Sequence, residues 1–188
     1  MGHKFAQTIF SSAAKALQKR YGSRAAYERI AQSGVSHDSL SANEIDFIRE
    51  RDSFYMASVT ADGWPYIQHR GGPAGFLKVL GPKALAFADF SGNRQYISAG
   101  NLTENDRVSL FLMDYPHRTR LKILGHAHLI EPGSEPELDQ LVAEPDYDAE
   151  VERIFRIELI AYDWNCPQHI TPRFTLEEIA LAMPKSSR

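Results

Sequence analysis

The segment FADFSGNRQYISAGNL, residues 87–102, holds the transition that decides the fold. Its first residues end the apolar run ALAFADF (84–90), which is typical of a β-strand. The turn-forming Ser91-Gly92-Asn93 follows, and the remainder has the pattern of one short helix over about 93–102. A strand that ends in a turn and a single helix therefore stands in the middle of the chain.

Arg94 and Gln95 fall in the first turn of this predicted helix. A helix start carries free N–H groups and partial positive charge, so it normally favours Asp or Glu. An arginine there is explained if an anion from outside the chain binds at that end. Asn93, Arg94 and Gln95 are therefore a candidate phosphate-binding loop, because a guanidinium matches two phosphate oxygens. The alternative is a surface arginine beside an ordinary turn.

Five further runs have strand character and mainly short links between them. They are FYMASVT (54–60), PYIQHR (65–70), VSLFLMDY (108–115), RLKILGHAHLIE (120–131) and VERIFRIELIAYDW (151–164). The turn ADGW (61–64) is a hairpin signal, and Gly125 breaks the strand alternation, which predicts a bulge. Because only one helix interrupts these strands, the spacing predicts an antiparallel barrel or sandwich and not βαβ units.

Helices are predicted outside this strand region. Residues 5–21 have helical spacing, Gly22 can end that helix, and a second follows. Ser41 and Glu44, and later Thr175 and Glu178, have capping-box spacing. A short surface helix is expected within the acidic stretch 132–150. We therefore divide the chain into an N-terminal helical extension, 1–45, and a β domain, 46–188, within one domain overall.

The composition excludes several classes of protein. The 188 residues are 43% apolar, which suits one globular domain with a real core. The net charge of −3 argues against nucleic acid and anionic membranes as partners. No stretch approaches a membrane span and the N-terminus does not resemble a signal peptide. Cys166 is the single cysteine, so no internal disulfide forms, which fits a cytoplasmic protein.

A second candidate site is the strand end Gln68-His69-Arg70, followed by the glycine-containing loop 71–75. Alternation puts Gln68 and Arg70 on one face and His69 on the other. The loop can lie close to a ligand because glycine lacks a side chain. Two strands that each end in an arginine-bearing loop would make a cradle for a dianion, although a solvated edge strand explains the pattern equally well.

A third candidate is DWNCPQHITPRF, residues 163–174, in which Trp164 offers a flat apolar face and Arg173 a fixed positive charge. The alternative is a packed C-terminal loop. The histidines and Cys166 lack the spacing of a metal motif, so no metal site is expected. Cys166 has no neighbouring base and is interpreted as structural.

These stretches together resemble the pyridoxamine 5′-phosphate oxidase-like family of FMN-binding split barrels. The resemblance runs from about residue 46 to 174 and is carried best by four segments. They are DGWPYIQHR, LAFADFSGNRQYISAGNLTENDRVSLFLMDYP, RLKILGHAHLIE and WNCPQHITPRF. The resemblance implies a mainly β fold, an antiparallel six-stranded split β-barrel with N-terminal helices, which forms a homodimer with FMN between the subunits.

The resemblance also implies which residues bind the cofactor. The loop with Asn93, Arg94 and Gln95 would hold the phosphate, and Gln68 or Arg70 would assist. The other cofactor-binding residues that we expect are His69, Lys78, Phe87, Ala88, Asp89, Phe90, Arg120, Trp164 and Arg173. His69 or His169 is a candidate proton donor, and no catalytic residue is assigned.

The function expected from this resemblance is an FMN-dependent oxidoreductase that acts on a small molecule. The oxidase has an Arg-x-His pair shortly before its last matched arginine, whereas this chain has QHITPR (168–173), so the oxidase reaction itself is not expected. Two alternatives stay open: a non-catalytic flavin carrier or sensor, and a haem-binding barrel with an axial histidine. A homodimer is predicted because the runs VSLFLM and FRIELIAY leave an apolar flank.

Overall fold

The computed structural model describes residues 2–32, 35–164 and 167–182. The helices are α1 (Lys4–Ile9), α2 (Ser12–Arg20), α3 (Arg24–Gln32), α4 (Ala42–Arg49), α5 (Ile97–Leu102), α6 (Pro136–Val142) and α7 (Leu176–Ala182). The strands are β1 (Ser53–Val59), β2 (Pro65–Gly71), β3 (Lys78–Gly81), β4 (Ala84–Phe90), β5 (Arg107–Asp114), β6 (Thr119–Ile130) and β7 (Val151–Trp164).

The strands form one antiparallel sheet in the order β2-β1-β5-β6-β7-β4-β3. The predicted mainly β, antiparallel fold is confirmed. The sheet has seven strands and not six, because the short β3 pairs with β4 at one edge. With β2 at the other edge, the sheet curls without closing its hydrogen-bonded ring.

The curled sheet encloses one main hydrophobic core. Alternate residues of β1, β5 and β6 point into it, as the buried positions of each strand show. Three aromatic rings meet across the sheet: Phe87 of β4 lies edge-on to Phe54 of β1 at 5.2 Å and stacks on Phe155 of β7 at 4.9 Å. Since β1 and β4 are not neighbours in the sheet, these rings hold the two sides of the curl together.

Two helix predictions were wrong in their bounds. The helix expected over residues 5–21 is broken into α1 and α2, because Ser11 interrupts it and caps α2 by accepting a hydrogen bond from Ala14 N at 3.1 Å. The helix expected from about residue 93 begins only at Ile97. Arg94 and Tyr96 lie before it in left-handed conformation, with φ of 58° and 52°.

Two glycine-dependent signals in the sequence were right. Gly63 forms the β1–β2 turn with φ of 87° and donates to Thr60 O at 2.9 Å. At Gly125 the pairing of β6 with β7 shifts register, as a bulge does. A Cβ at Gly125 would lie 2.6 Å from Glu158 O, so this close approach of two backbones requires glycine.

Helix α4 is fixed to the sheet through Glu44. The backbone N of Ser41 donates to the Glu44 carboxylate at 2.9 Å, as the capping box predicts. Trp164 Nε1, at the end of β7, donates to the same carboxylate at 2.7 Å. Burial raises the pKa of Glu44, but hydrogen bonds from Ser41 and Trp164 to the ionised form outweigh it and lower the pKa to about 2.

Glu44 is expected to make folding sensitive to acid. Its pKa is depressed in the folded state, so its contribution is complete above the unfolded value near 4.5 and is lost as pH falls towards about 2. We expect the free energy of unfolding to drop by about 3 kcal/mol across this window from Glu44 alone. Urea unfolding at a series of pH values measures it. Glu44→Gln should flatten the decline, whereas Glu177→Gln on exposed α7 should not; equal profiles for both variants would contradict the assignment.

Candidate functional site

A cavity of about 180 Å³ opens where β2, β4 and β7 meet the loop 91–96. Seven of the residues predicted to bind the cofactor line it: Gln68, Arg70, Asp89, Phe90, Asn93, Arg94 and Gln95. The structure thus brings together the two arginine-bearing strand ends that the sequence marked separately. Their shared wall is polar and carries three guanidinium groups, because Arg153 of β7 also lines it.

Arg70 is the innermost of these cations. Its guanidinium pairs with Asp89 of β4 and lies over the rings of Phe87 and Phe155, with centroid distances of 5.6 and 5.0 Å. Burial lowers the pKa of Arg70, and the charge of Asp89 opposes this effect. Since only 12% of the Arg70 side chain is exposed, this arginine closes the gap between β2 and β4 from inside and is not a free surface cation.

Asp89 links Arg70 to a second pair of charges. Arg153 Nη1 donates to Asp89 Oδ2 at 2.7 Å, and Arg153 Nη2 donates to Glu152 Oε2 at 3.1 Å. The predicted role of Asp89 in cofactor binding therefore competes with its two ion pairs. Within the described residues, Arg70 Nε is buried without a hydrogen-bond partner. An orphaned cationic donor beside the cavity fits a site that receives an anion or a water.

The loop 91–96 presents Arg94 to the mouth of the cavity. Arg94 is not at a helix start, which corrects the prediction; its backbone and that of Tyr96 are left-handed, a conformation that costs a non-glycine residue about 1–2 kcal/mol. Asn93 Oδ1 accepts from Gln95 N at 3.2 Å and shapes the turn. Such strain concentrates at functional loops.

The Arg94 side chain is 69% exposed and its contact with the rest of the chain is loose. Arg94 Nε lies 3.6 Å from Glu152 Oε1. Tyr96 OH donates to the same Glu152 oxygen at 3.2 Å. Glu152 thus takes the position of an anion among three donors, from Arg94, Tyr96 and Arg153. Arg94 remains able to turn towards a ligand, unlike the buried Arg70.

Gln68 positions the helix that follows the loop. Gln68 Oε1 accepts from Ser98 Oγ at 2.9 Å, and Asn101 Nδ2 donates to Ser58 Oγ at 2.9 Å, so α5 is fixed to β2 and β1. As the alternation predicts, His69 takes the opposite face of β2 from Gln68 and lies 5.5 Å from the Tyr55 ring.

Three other predicted residues do not line this cavity. Phe87 and Ala88 are buried in the core, and with His69 they border a second cavity of about 160 Å³ that shares part of the wall of the first. Lys78 is on β3, where its Nζ lies 2.5 Å from Glu144 Oε1. Because Lys78 is paired with Glu144, it is not a free cation for the candidate phosphate-binding loop.

Arg120, Trp164 and Arg173 lie outside the first cavity, and Trp164 and Arg173 line two different clefts. Trp164 packs edge-on to Phe47 at 4.8 Å and bonds to Glu44 as described. The guanidinium of Arg173 lies 4.8 Å from the Tyr115 ring, at a cleft of about 540 Å³. Arg120 is the second residue of β6, and its Nε is buried without a partner among the described residues. Cys166 lies outside the described residues.

The length of β7 separates Trp164 from the first cavity. Arg153 lines the first cavity near the start of β7, and Trp164 ends the same strand. Eleven residues at about 3.3 Å each put them roughly 35 Å apart along the strand. One bound nucleotide therefore contacts both Arg153 and Trp164 only if a second copy of the chain supplies one of them.

Sequence reasoning missed Glu152, Arg153 and Tyr96. A signal was available for a partner of Asp89: a lone acid in the otherwise apolar run ALAFADF must be paired if that strand is buried. The sequence does not say which cation pairs with it, because Arg153 lies opposite Asp89 only through the register of β4 with β7, and β2 reaches Asp89 only after the sheet curls.

Two further properties concern the described residues alone. None of the helices seen in them combines the length and apolar character needed to cross a membrane. Across the same ranges, His, Asp and Glu side chains do not gather in threes as metal ligands would.

Known proteins provide the comparison for this geometry. The family model described as pyridoxamine 5′-phosphate oxidase matches residues 40–159, which is more than half of the chain. No curated protein sequence matches significantly.

Several solved structures share the fold. A putative pyridoxamine 5′-phosphate oxidase from Lactobacillus delbrueckii is 20% identical with a TM-score of 0.50, covering 67% of this chain and 94% of its own. HupZ from Group A Streptococcus is 15% identical with a TM-score of 0.54, covering 72% and 99%. A Clostridium acetobutylicum protein related to general stress protein 26, of the pyridoxinephosphate oxidase family, is 13% identical with a TM-score of 0.50, covering 73% and 94%. At these identities the likeness concerns the fold alone, and with the matched residues 40–159 it leads to one conclusion: the chain belongs to the pyridoxamine 5′-phosphate oxidase family.

Proposed function

We propose that this protein binds FMN in a cleft shared by two copies of the chain and uses the flavin in an oxidoreductase reaction on a small molecule. The observation that carries the proposal is the guanidinium-lined cavity at the loop 91–96, in a chain of this family. The bound flavin would supply the redox chemistry, and the protein would supply binding, orientation and charge.

The phosphate end of FMN fits the residues that line the first cavity. Arg94 is exposed at the cavity mouth and held only by a 3.6 Å contact with Glu152, so a phosphate can replace that carboxylate. Charge-assisted hydrogen bonds from a guanidinium to phosphate are short and strong. Arg70 and Arg153 are both paired with Asp89, so they would stabilise the bound phosphate by their positive electrostatic field and not by direct contact.

The remainder of FMN needs more room than this cavity offers. The cavity of about 180 Å³ is below the usual range of roughly 300–1,000 Å³ for small-molecule sites. We infer that the second copy contributes Arg120, Trp164 and Arg173, which lie outside this cavity. A cation near the pyrimidine edge of the ring would favour the anionic reduced flavin through charge pairing.

An apolar outer sheet face supports the homodimer. Tyr55 of β1 and Ile67 of β2 are 40% and 65% exposed on this side. A groove of about 410 Å³ continues the face between α1 and the sheet, with Ala57, Leu124 and Ile160 in its wall. A second copy would cover these side chains. The apolar residues of VSLFLM and FRIELIAY, which were expected to form this flank, lie mostly in the core instead.

The spectrum of the protein as isolated tests the cofactor. We expect a yellow preparation with flavin absorbance, whose released cofactor has the mass of FMN. Reduction by NADH or NADPH, followed by reoxidation at useful rates, would support the oxidoreductase over a carrier or sensor. A Soret band would indicate that the bound cofactor is haem and not flavin. A colourless protein that does not bind added FMN would refute the proposal.

A further inference from the structure

Helices α2 and α3 form a hairpin whose larger apolar side chains face solvent. The exposed fractions of Leu17, Tyr21, Tyr27 and Ile30 are 52%, 74%, 42% and 43%. Four exposed cations stand among them: Lys15, Lys19, Arg20 and Arg29. We call this surface, within residues 12–32, the basic hairpin.

The inner side of the basic hairpin is polar. Arg24 Nη1 donates to Gln18 Oε1 at 2.9 Å across the two helices, and Arg24 also pairs with Glu28. A helix normally turns its apolar stripe inward and its charges outward. Here apolar side chains face outward together with the cations. Although Tyr27 packs edge-on to Phe10 at 5.5 Å, the exposed apolar and cationic area indicates a docking surface for an anionic partner.

The chain itself contains a complementary surface. Residues 131–150 hold eight acidic residues and no Lys or Arg. Five of these acids are exposed: Glu131, Glu137, Asp146, Asp148 and Glu150. Leu141 and Tyr147, 48% and 42% exposed, add apolar area among them. We call residues 131–150 the acidic segment.

Within the described residues, no hydrogen bond or salt bridge joins the basic hairpin to the acidic segment of the same chain. Helix α1 connects the basic hairpin to the sheet: Gln7 Nε2 donates to Ala31 O at 2.9 Å, and Lys122 Nζ lies 4.6 Å from the Phe5 ring. The acidic segment connects β6 and β7 beyond Ile130.

We propose that the basic hairpin of one copy docks on the acidic segment of a second copy. Two copies related by a two-fold axis make this contact twice, which is the self-complementary pattern of such a dimer. The inference rests on the homodimer proposed above and names the charged surfaces that meet in it. Because opposite charges at an interface are screened by salt, the contact sets the orientation of the dimer most strongly at low ionic strength.

A charge-swap experiment tests the proposal. One variant reverses the hairpin (K15E/K19E/R29E), a second reverses the acidic segment (D146K/D148K/E150K), and a third combines all six changes. Sedimentation gives the dimer dissociation constant at low and high salt. We expect each triple variant to dimerise about tenfold or more weakly at low salt. The six-fold variant should regain most of that loss, because its charges are again complementary.

The outcomes separate this inference from the proposed function. If the six-fold variant is as weak as the triple variants, or if all variants dimerise like the native chain, the inference is wrong while the dimer stands. A native chain that stays monomeric refutes both the inference and the shared cleft; FMN titration of the same proteins reports on the cofactor separately.

Neutral substitutions and lipid vesicles complete the design. K15Q/K19Q/R29Q should give an intermediate dissociation constant if the variants fold, as circular dichroism checks. If vesicles containing phosphatidylglycerol bind the native chain but not K15E/K19E/R29E, and dimerisation is unchanged, then the hairpin docks on anionic lipid and the proposal is overturned.

Discussion

Replacing Arg70 with alanine is expected to lower the free energy of unfolding by about 3 kcal/mol. Removing one partner of a buried ion pair leaves the other charge without its partner, which typically costs about 3–5 kcal/mol. The lower end applies because Arg153 still donates to Asp89 at 2.7 Å. The substitution also removes the cation that lies over Phe87 and Phe155.

Thermal unfolding measures this effect. At about 2–4 °C per kcal/mol for a chain of this size, Tm should fall by roughly 6–12 °C. Arg94→Ala is the matched control, since it removes an arginine of the same cavity whose side chain is 69% exposed. We expect the control to stay within about 0.5 kcal/mol of the native protein. Equal Tm values for Arg70→Ala and the native chain would show that β2 is held to β4 by other contacts.

Replacing Arg94 with alanine is expected to weaken FMN binding by about 1.5–3 kcal/mol, the range for a hydrogen bond to a charged group. This corresponds to roughly 10–150-fold in the dissociation constant. Titration of the apoprotein with FMN, followed by the change in flavin fluorescence, measures it. Arg49→Ala is a suitable control, because that side chain is exposed to a similar degree, 67%, and lies on α4 away from the cavity.

The opposite effect on FMN binding is expected for Glu152→Gln. Its carboxylate contacts Arg94, Tyr96 and Arg153 and must give way to an incoming phosphate. Neutralising it removes a competing anion, so FMN should bind several-fold more tightly. If Arg94→Ala and Glu152→Gln both leave the affinity unchanged, the phosphate lies elsewhere.

The strands could be predicted because each carries local information. ALAFADF and VSLFLMDY are apolar runs bounded by turn residues. Gly63 marks a turn through its positive φ, and Gly125 marks a bulge where a side chain would not fit. The short β3 (Lys78–Gly81) was not predicted, because four residues are too few to show the alternation of a strand.

The interior of the candidate site could not be predicted, since it forms only when distant strands meet. Asp89 is recognisable as an acid that needs a partner. Its pairing with Arg153 depends on the register of β4 with β7, and its pairing with Arg70 depends on the curl of the sheet. The start of α5 was misplaced for a local reason. Arg94 and Tyr96 adopt a left-handed backbone conformation that non-glycine residues seldom take, so the residue types did not predict this conformation.

The two outer strands of the sheet bear on how the protein avoids aggregation. An unpaired strand edge is a template for joining another chain and starting a fibril. Here β3 is only four residues long, and β2 begins with Pro65, which has no N–H to offer. The side chains of Gln68 and Arg70 draw β2 inward by bonding to Ser98 and Asp89. Resistance to edge-to-edge assembly on storage or heating therefore depends on keeping the β1–β2 hairpin folded against the rest of the sheet.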